Sequence, residues 1–184
     1  MKSQNKRIAI VGGGAAGVFC AIRLAQNPTL DIHIFEKSNE LLKKVKISGG
    51  GRCNVTHHYS STSQFVKNYP RGAHILKKNF SQFSPQNMVE WLTSRGVKLK
   101  TEADGRVFPM SDDSQTIINV FLRELNQKNI TIHFNACVDS IDYHNGQYRL
   151  TIQEQTHIYP TLVIASGGVQ KIRDMDYLYS LNID

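Results

Sequence analysis

Ile8-Ala9-Ile10-Val11-Gly12-Gly13-Gly14-Ala15-Ala16-Gly17 decides the fold. The first four residues are a short apolar run that reads as a buried strand. The glycines then fall in the order G-x-G-x-x-G. Ala15, Val18, Phe19, Ile22 and Ala25 recur at helical spacing, and Asn27-Pro28 ends that helix. Asp31-Ile32-His33-Ile34-Phe35 reads as a second strand and closes on Glu36. Glu36 lies 19 positions past Gly17, close to the roughly 20 of a dinucleotide fingerprint.

Each residue of this unit has a physical task. Gly12 lets the chain turn sharply off the strand. Gly14 has no side chain, so a pyrophosphate can approach the backbone. Gly17 lets the helix pack close to the strand. The helix N-terminus offers unpaired N–H groups and a partial positive charge to phosphates. Glu36 can accept hydrogen bonds from the adenosine ribose and repels a 2′-phosphate. FAD and NAD share these parts, so the unit alone leaves both open.

Composition fits an ordinary globular chain. Its 184 residues suit one domain, and no apolar run is long enough for a bilayer. Met1 to Arg7 leads straight into the first strand and does not read as a signal peptide, so a cytoplasmic protein is expected. Cys20, Cys53 and Cys137 are far apart, with no C-x-x-C, and Cys20 on the first helix reads as a buried thiol. The histidines show no metal-ligand spacing. The net charge of +7 comes from 22 basic and 15 acidic residues. No basic helix with interleaved aromatics is evident in the sequence, so neither nucleic acid nor membrane is an expected partner. A solvated surface with some attraction for phosphates is the reading.

Further along, Leu41 to Ile47 is basic and partly helical. Ser84-Pro85 reads as a helix start, with Met88, Val89, Trp91 and Leu92 as the apolar side and Gly96 as the stop. Val97–Thr101, the Asp104-Gly105 turn and Val107-Phe108 read as a hairpin. Ser111 or Asp112 is expected to cap a helix whose apolar face is Ile117, Ile118, Phe121, Leu122 and Leu125. Ile130–Phe134 reads as the third parallel strand, with 56–110 inserted between the second and third. Residues 137–160 read as an antiparallel meander turning at Asn145-Gly146. Leu162–Ala165 is a further buried strand, and Asp174–Leu181 a last helix.

Ser48-Gly49-Gly50-Gly51-Arg52-Cys53-Asn54 is a second glycine cluster. Successive N–H groups in such a turn can form an anion nest, and Arg52 can add a charge-assisted contact to phosphate. A flexible turn is the bland alternative. With its flanks, Lys46-Ile47-Ser48-Gly49-Gly50-Gly51-Arg52-Cys53-Asn54-Val55-Thr56 resembles the signature of bacterial FAD-dependent flavoproteins of the aminoacetone oxidase-like and 3-dehydro-bile-acid reductase (BaiN) type. The likeness extends to Gly12–Gly17 with Glu36-Lys37, to Asp104–Pro109 and to Ile164–Gly168.

The resemblance implies an α/β, Rossmann-like FAD/NAD(P)-binding domain with FAD as cofactor and hydride transfer through flavin N5. It implies that Gly12, Gly14, Ala15, Ala16 and Gly17 hold the pyrophosphate, and Glu36 with Lys37 the ribose end. Lys46, Gly51, Arg52, Cys53 and Asn54 would line the flavin side. Val138 would meet the adenine through its backbone. Ala165-Ser166-Gly167 stands where the family has Ala-Thr-Gly near the cofactor. Cys53 is either a redox thiol or a small packing residue. The family implies a small-molecule substrate, with NAD(P)H a candidate electron donor. Its chains are roughly twice this long, so residues 1–184 read as a partial FAD-binding domain, incomplete at the C-terminus, lacking the substrate domain and expected to be inactive apart from a full-length FAD-dependent oxidoreductase. The rival readings are an NAD(H)-binding dehydrogenase half, a truncated remnant, or a basic nucleic-acid-binding module.

Overall fold

The opening apolar run forms strand β1 (Lys6–Val11), and the glycines turn it into helix α1 (Ala15–Leu24). The computed structural model describes residues 6–127, 129–168 and Leu181. β2 (Leu30–Phe35) and the short basic helix α2 (Lys43–Ile47) follow. β3 (Thr56–His57), α3 (Thr62–Phe65), α4 (Ala73–Gln82) and α5 (Pro85–Thr93) lead to a hairpin of β4 (Leu99–Thr101) and β5 (Arg106–Pro109). Next come α6 (Ser114–Leu125) and β6 (Ile130–His133). The meander β7 (Ser140–His144), β8 (Gln147–Ile152) and β9 (Gln155–Tyr159) then leads to β10 (Thr161–Ile164). The expected helix from Asp174 lies outside the described residues, Leu181 apart.

The chain divides into two compact units. One takes the chain up to Lys44 and again from Phe121; the other is Val45–Val120. The second unit takes in α2 and the second glycine cluster at one end and the first turns of α6 at the other.

In the first unit the sheet is parallel, ordered β10-β1-β2-β6. Ile10 stands opposite Ile34 on one side and Val163 on the other. Strand alternation sends Ala9 and Val11 to one face and Ile8 and Ile10 to the other. Ala9, Val11 and Phe35 pack with Ile141, Leu150, Ile152 and Tyr159 of the meander. α1 buries Val18, Ala21 and Ile22, and Phe19 meets Phe121 edge-on at 6.2 Å. Cys20 on this helix is only partly buried, and that burial pushes its thiol up. Phe134 falls past the end of β6 and is exposed, because the chain turns there to reach the meander. The order places a topological switch between β1 and β10, where ligands of open α/β sheets bind beyond the strand C-termini.

The edge of this sheet carries a stack of rings. His33 and His133 are 2.9 Å apart through Nδ1 and Nε2, so one ring donates while the other accepts. The His133 ring lies 4.6 Å from Phe35. Burial first, then His33, His157 and Arg7, holds His133 below the ordinary histidine value. Above that ordinary value His133 is neutral in both states and stability is complete. As pH falls through it, the unfolded chain takes the proton first and stability is lost. The melting temperature should therefore drop between pH 7.5 and about 5, and His133→Phe should flatten the drop. A flat profile for the parent chain contradicts this.

In the second unit, β3, β5 and β4 form an antiparallel sheet. The hairpin turns at Asp104-Gly105, where Gly105 has φ +88°. Ser84 and Asn87 form a capping box with Pro85 in the first turn of α5, and Trp91 and Leu92 are buried. The cap of α6 differs from expectation. Asp113 Oδ1 accepts from the Gln115 N–H at 2.8 Å, whereas Asp112 is drawn away into ion pairs with Arg52 and Lys100. On α6, Ile117, Ile118, Phe121 and Leu125 are buried, but Leu122 is 43% exposed. It sits at the margin of the apolar stripe, where helical spacing alone does not decide burial.

Candidate dinucleotide-binding site

In the first unit, the loop after β1 and the loop after β10 form the two sides of the switch point. The Ala165 N–H donates to Val11 O at 2.8 Å, and the Gly12 N–H donates to Phe35 O at 2.8 Å. Gly12 has φ +108°, and a Cβ there would sit 2.5 Å from Ala165 O. A Cβ on Gly17 would collide with Gly12 O. Packing thus explains both of these glycines. Gly14 is different: its backbone is extended, at φ −79° and ψ −174°, and a Cβ built on it meets no described atom within 4 Å. Neither conformation nor crowding requires glycine there. Gly14 is also the N-cap of α1, with no capping side chain among the described residues. Ala15 and Ala16 are exposed beside it, so the first helical amides face open space.

Glu36 is held firmly. Its Oε2 accepts from the Gly13 N–H at 2.8 Å, and its Oε1 accepts from the Ser38 N–H at 2.9 Å and Ser38 hydroxyl at 2.7 Å. A carboxylate has about four acceptor positions, so one lone pair on Oε2 stays available for a ribose hydroxyl. The backbone latches the neighbouring segment: the Ala136 N–H donates to Glu36 O and the Asn135 N–H to Ser38 O. Val138 follows two residues later, packing its side chain against the meander core. Lys37 is exposed next to Glu36. Lys44 Nζ donates to Gly168 O at 2.9 Å, close to Ser166 and Gly167 in the chain. The first unit therefore gathers Gly12, Gly14, Ala15, Ala16, Gly17, Glu36, Val138, Ala165, Ser166 and Gly167 along the C-terminal edge of its sheet.

The second unit carries Lys46, Gly51, Arg52, Cys53 and Asn54 on one continuous loop. Gly49, Gly50 and Gly51 are all left-handed, and so is Cys53, at φ +60°. Two of the loop's amides are not offered to an anion: the Arg52 and Cys53 N–H groups are spent on Gly49 O and Ser48 O. Arg52 does not reach out for a phosphate either. Its guanidinium bonds Glu102 at 2.6 Å and Asp112 at 3.4 Å and lies 4.0 Å over the Phe108 ring. It clamps the loop onto the hairpin. Lys46 and Asn54 are exposed, and Lys46 O accepts from the Ser114 hydroxyl.

Cys53 is buried at 6% exposure. Burial pushes its thiol up, with a Ser48 hydrogen bond opposing. A neutral, enclosed thiol is a poor nucleophile. Iodoacetamide at pH 7.5 should therefore label exposed Cys137 well before Cys53, as read by peptide mass spectrometry. Equal rates would make Cys53 a reactive thiol.

Ser38, Leu42 and Glu102, and the joining of Asp112 and Phe108 to Arg52, are not legible from the sequence. Leu42 is left-handed and donates its N–H to Gly13 O. Only a serine two residues past Glu36 offered a local signal, because such a hydroxyl commonly turns back on its own chain.

Similar proteins agree with this architecture. The chain is 27% identical over 160 residues to the ribosomal RNA dihydrouridine synthase of Escherichia coli (strain K12), covering 87% of this chain and 39% of that protein. It is 26% identical to the 3-dehydro-bile acid delta(4,6)-reductase of Clostridium scindens, covering 88% of this chain and 39% of the relative. It thus spans about two-fifths of the length of these curated relatives. Among solved structures, the FrdA subunit of E. coli quinol fumarate reductase shares the fold, with TM-score 0.64 and 20% identity over 89% of this chain and 32% of that one. No helix among the described residues is long and apolar enough to cross a membrane. A family model described as HI0933-like protein Rossmann domain matches residues 6–172, and the chain belongs to that family.

Proposed function

We propose that this chain binds FAD and serves a flavin-dependent reductase. The observation that carries the reading is Gly14. Neither backbone conformation nor crowding calls for a glycine there, while a pyrophosphate lying on the α1 N-terminus does. Gly12, Ala15, Ala16 and Gly17 would complete that cradle. Glu36 would take a ribose hydroxyl on its remaining lone pair, and the Val138 backbone would meet the adenine. The resemblance assigns Lys46, Gly51, Arg52, Cys53 and Asn54 to the flavin end, and Arg52 holds their loop in shape. The flavin, when bound, supplies hydride transfer at N5.

FAD is favoured over NAD by the glycine–arginine–cysteine–asparagine run, which the resemblance ties to flavoproteins. The two relatives support a reductive chemistry. One is named for making dihydrouridine in ribosomal RNA and the other for reducing a bile acid. The visible absorption spectrum, with and without added FAD, tests this. A flavin spectrum that survives desalting supports the reading. A colourless protein that takes up NADH but not FAD overturns it.

A further inference from the structure

We propose that a cleft at the β6 edge of the parallel sheet binds an uncharged, flat aromatic molecule carrying an O–H or N–H donor, and that the chain Asp31–His33–His133 fixes the acceptor that receives it. The cleft measures about 360 Å³, within the range of small-molecule sites. Phe35, His133, Phe134, Ile152, Gln155 and His157 line it, and among the described residues no Lys, Arg, Asp or Glu does. It lies apart from the dinucleotide edge. Phe35 packs on the meander core, whereas Glu36, the next residue, turns its carboxylate to Gly13. Val138 does not line the cleft.

Asp31 decides which ring nitrogens carry protons. Its Oδ2 stands 3.2 Å from His33 Nε2, a buried nitrogen with no better-aligned acceptor among the described residues. A lone pair on that nitrogen would face an anionic oxygen, so the proton sits there and His33 Nδ1 is bare. His33 Nδ1 meets His133 Nε2 at 2.9 Å. The two ring planes differ by 11° with centres 5.3 Å apart, so the nitrogens face each other edge to edge. His133 Nε2 must then donate, which leaves His133 Nδ1 as an acceptor. That nitrogen has no hydrogen bond with a described residue. Burial also keeps His133 below the ordinary histidine value, so the ring is neutral at pH 8.

These features select one kind of ligand. A bare ring nitrogen in a cleft calls for a donor. The walls are flat: His133 and Phe35 lie within 10° of a common plane, and Phe134 keeps 45% exposure, so an aromatic ring has surfaces to lie against. The Gln155 amide is exposed and has no partner among the described residues, so it can serve a second polar group. A carboxylate or phosphate would find no cation among the described lining residues, and its charge would be costly to bury beside Phe35 and Ile152. Phenol is the simplest molecule of the favoured class.

The test uses the whole isotope-labelled chain at pH 8. Proton–nitrogen correlation spectra of the histidine rings should show His133 protonated at Nε2 and bare at Nδ1. Phenol should bind saturably and move those ring signals. Anisole, its methyl-capped analogue, should bind about tenfold more weakly, the loss of one hydrogen bond, and benzoate should leave the signals in place. His133→Phe keeps a flat ring without an acceptor. At an unchanged circular dichroism spectrum it should bind phenol and anisole equally, followed by the Ala136 amide signal. Asp31→Asn, which can donate as well as accept, should give a mixture of His133 tautomers and weaker phenol binding. A proton on His133 Nδ1 in the parent, no saturable phenol binding, anisole or benzoate bound as tightly as phenol, a retained preference for phenol in His133→Phe, or an unmixed tautomer in Asp31→Asn each overturns the proposal. It does not rest on the flavin reading: phenol should bind equally with and without FAD. Displacement of phenol by FAD would overturn it, because the cleft would then be part of the dinucleotide site.

Discussion

Gly14→Val should leave the fold standing and remove dinucleotide binding. The valine side chain would enter open space in an extended backbone conformation that β-branched residues accept. Valine is a poorer N-cap than glycine, which costs about 1 kcal/mol at most. The same side chain would stand where a pyrophosphate must approach the α1 amides, so FAD affinity should fall by at least a hundredfold. Gly17→Val is the contrasting substitution. Its side chain would drive into Gly12 O, and the protein should lose its cooperative melting transition altogether. Two valines three positions apart therefore separate a ligand glycine from a packing glycine. Loss of folding in Gly14→Val would place Gly14 in the second class.

Glu36→Ala should weaken both the cofactor site and the loop around it. Three donors converge on this carboxylate, from Gly13 and Ser38. Hydrogen bonds to a charged group are worth about 1.5–3 kcal/mol each when buried, and Glu36 is only half-buried. A total loss of about 2 kcal/mol is therefore expected, or roughly 4–8 °C in melting temperature for a chain of this size. FAD affinity should fall further than the stability loss alone would cause. Glu36→Gln keeps one acceptor oxygen and should lose less on both counts. Differential scanning fluorimetry with an FAD titration measures the two effects separately. An unchanged melting temperature would mean that the Gly13 and Ser38 bonds contribute little in solution.

The parts legible from sequence were those written locally. β1, the glycine turn, α1, β2 and Glu36 follow one another within 36 residues, and each carries its own period or turn residue. The meander announced itself through Asn145-Gly146, and α5 through Ser84-Pro85. What could not be read depends on distant partners. Arg52 looks free in sequence, yet Glu102 and Asp112 stand 50 and 60 positions on and claim its guanidinium. The same pairing takes Asp112 away from capping α6. The loop's own bonding was hidden for a related reason: the Ser48 and Gly49 carbonyls fold back onto the Cys53 and Arg52 amides.

An equilibrium titration of the whole chain with FAD, followed by flavin fluorescence and repeated with NADH and with Gly14→Val, is the most direct test. The expected result is saturable FAD binding by the parent, weaker binding of NADH, and no measurable FAD binding by Gly14→Val at an unchanged circular dichroism spectrum. Parent-like FAD affinity in a folded Gly14→Val, or NADH bound more tightly than FAD, would contradict a flavin site built on this glycine turn.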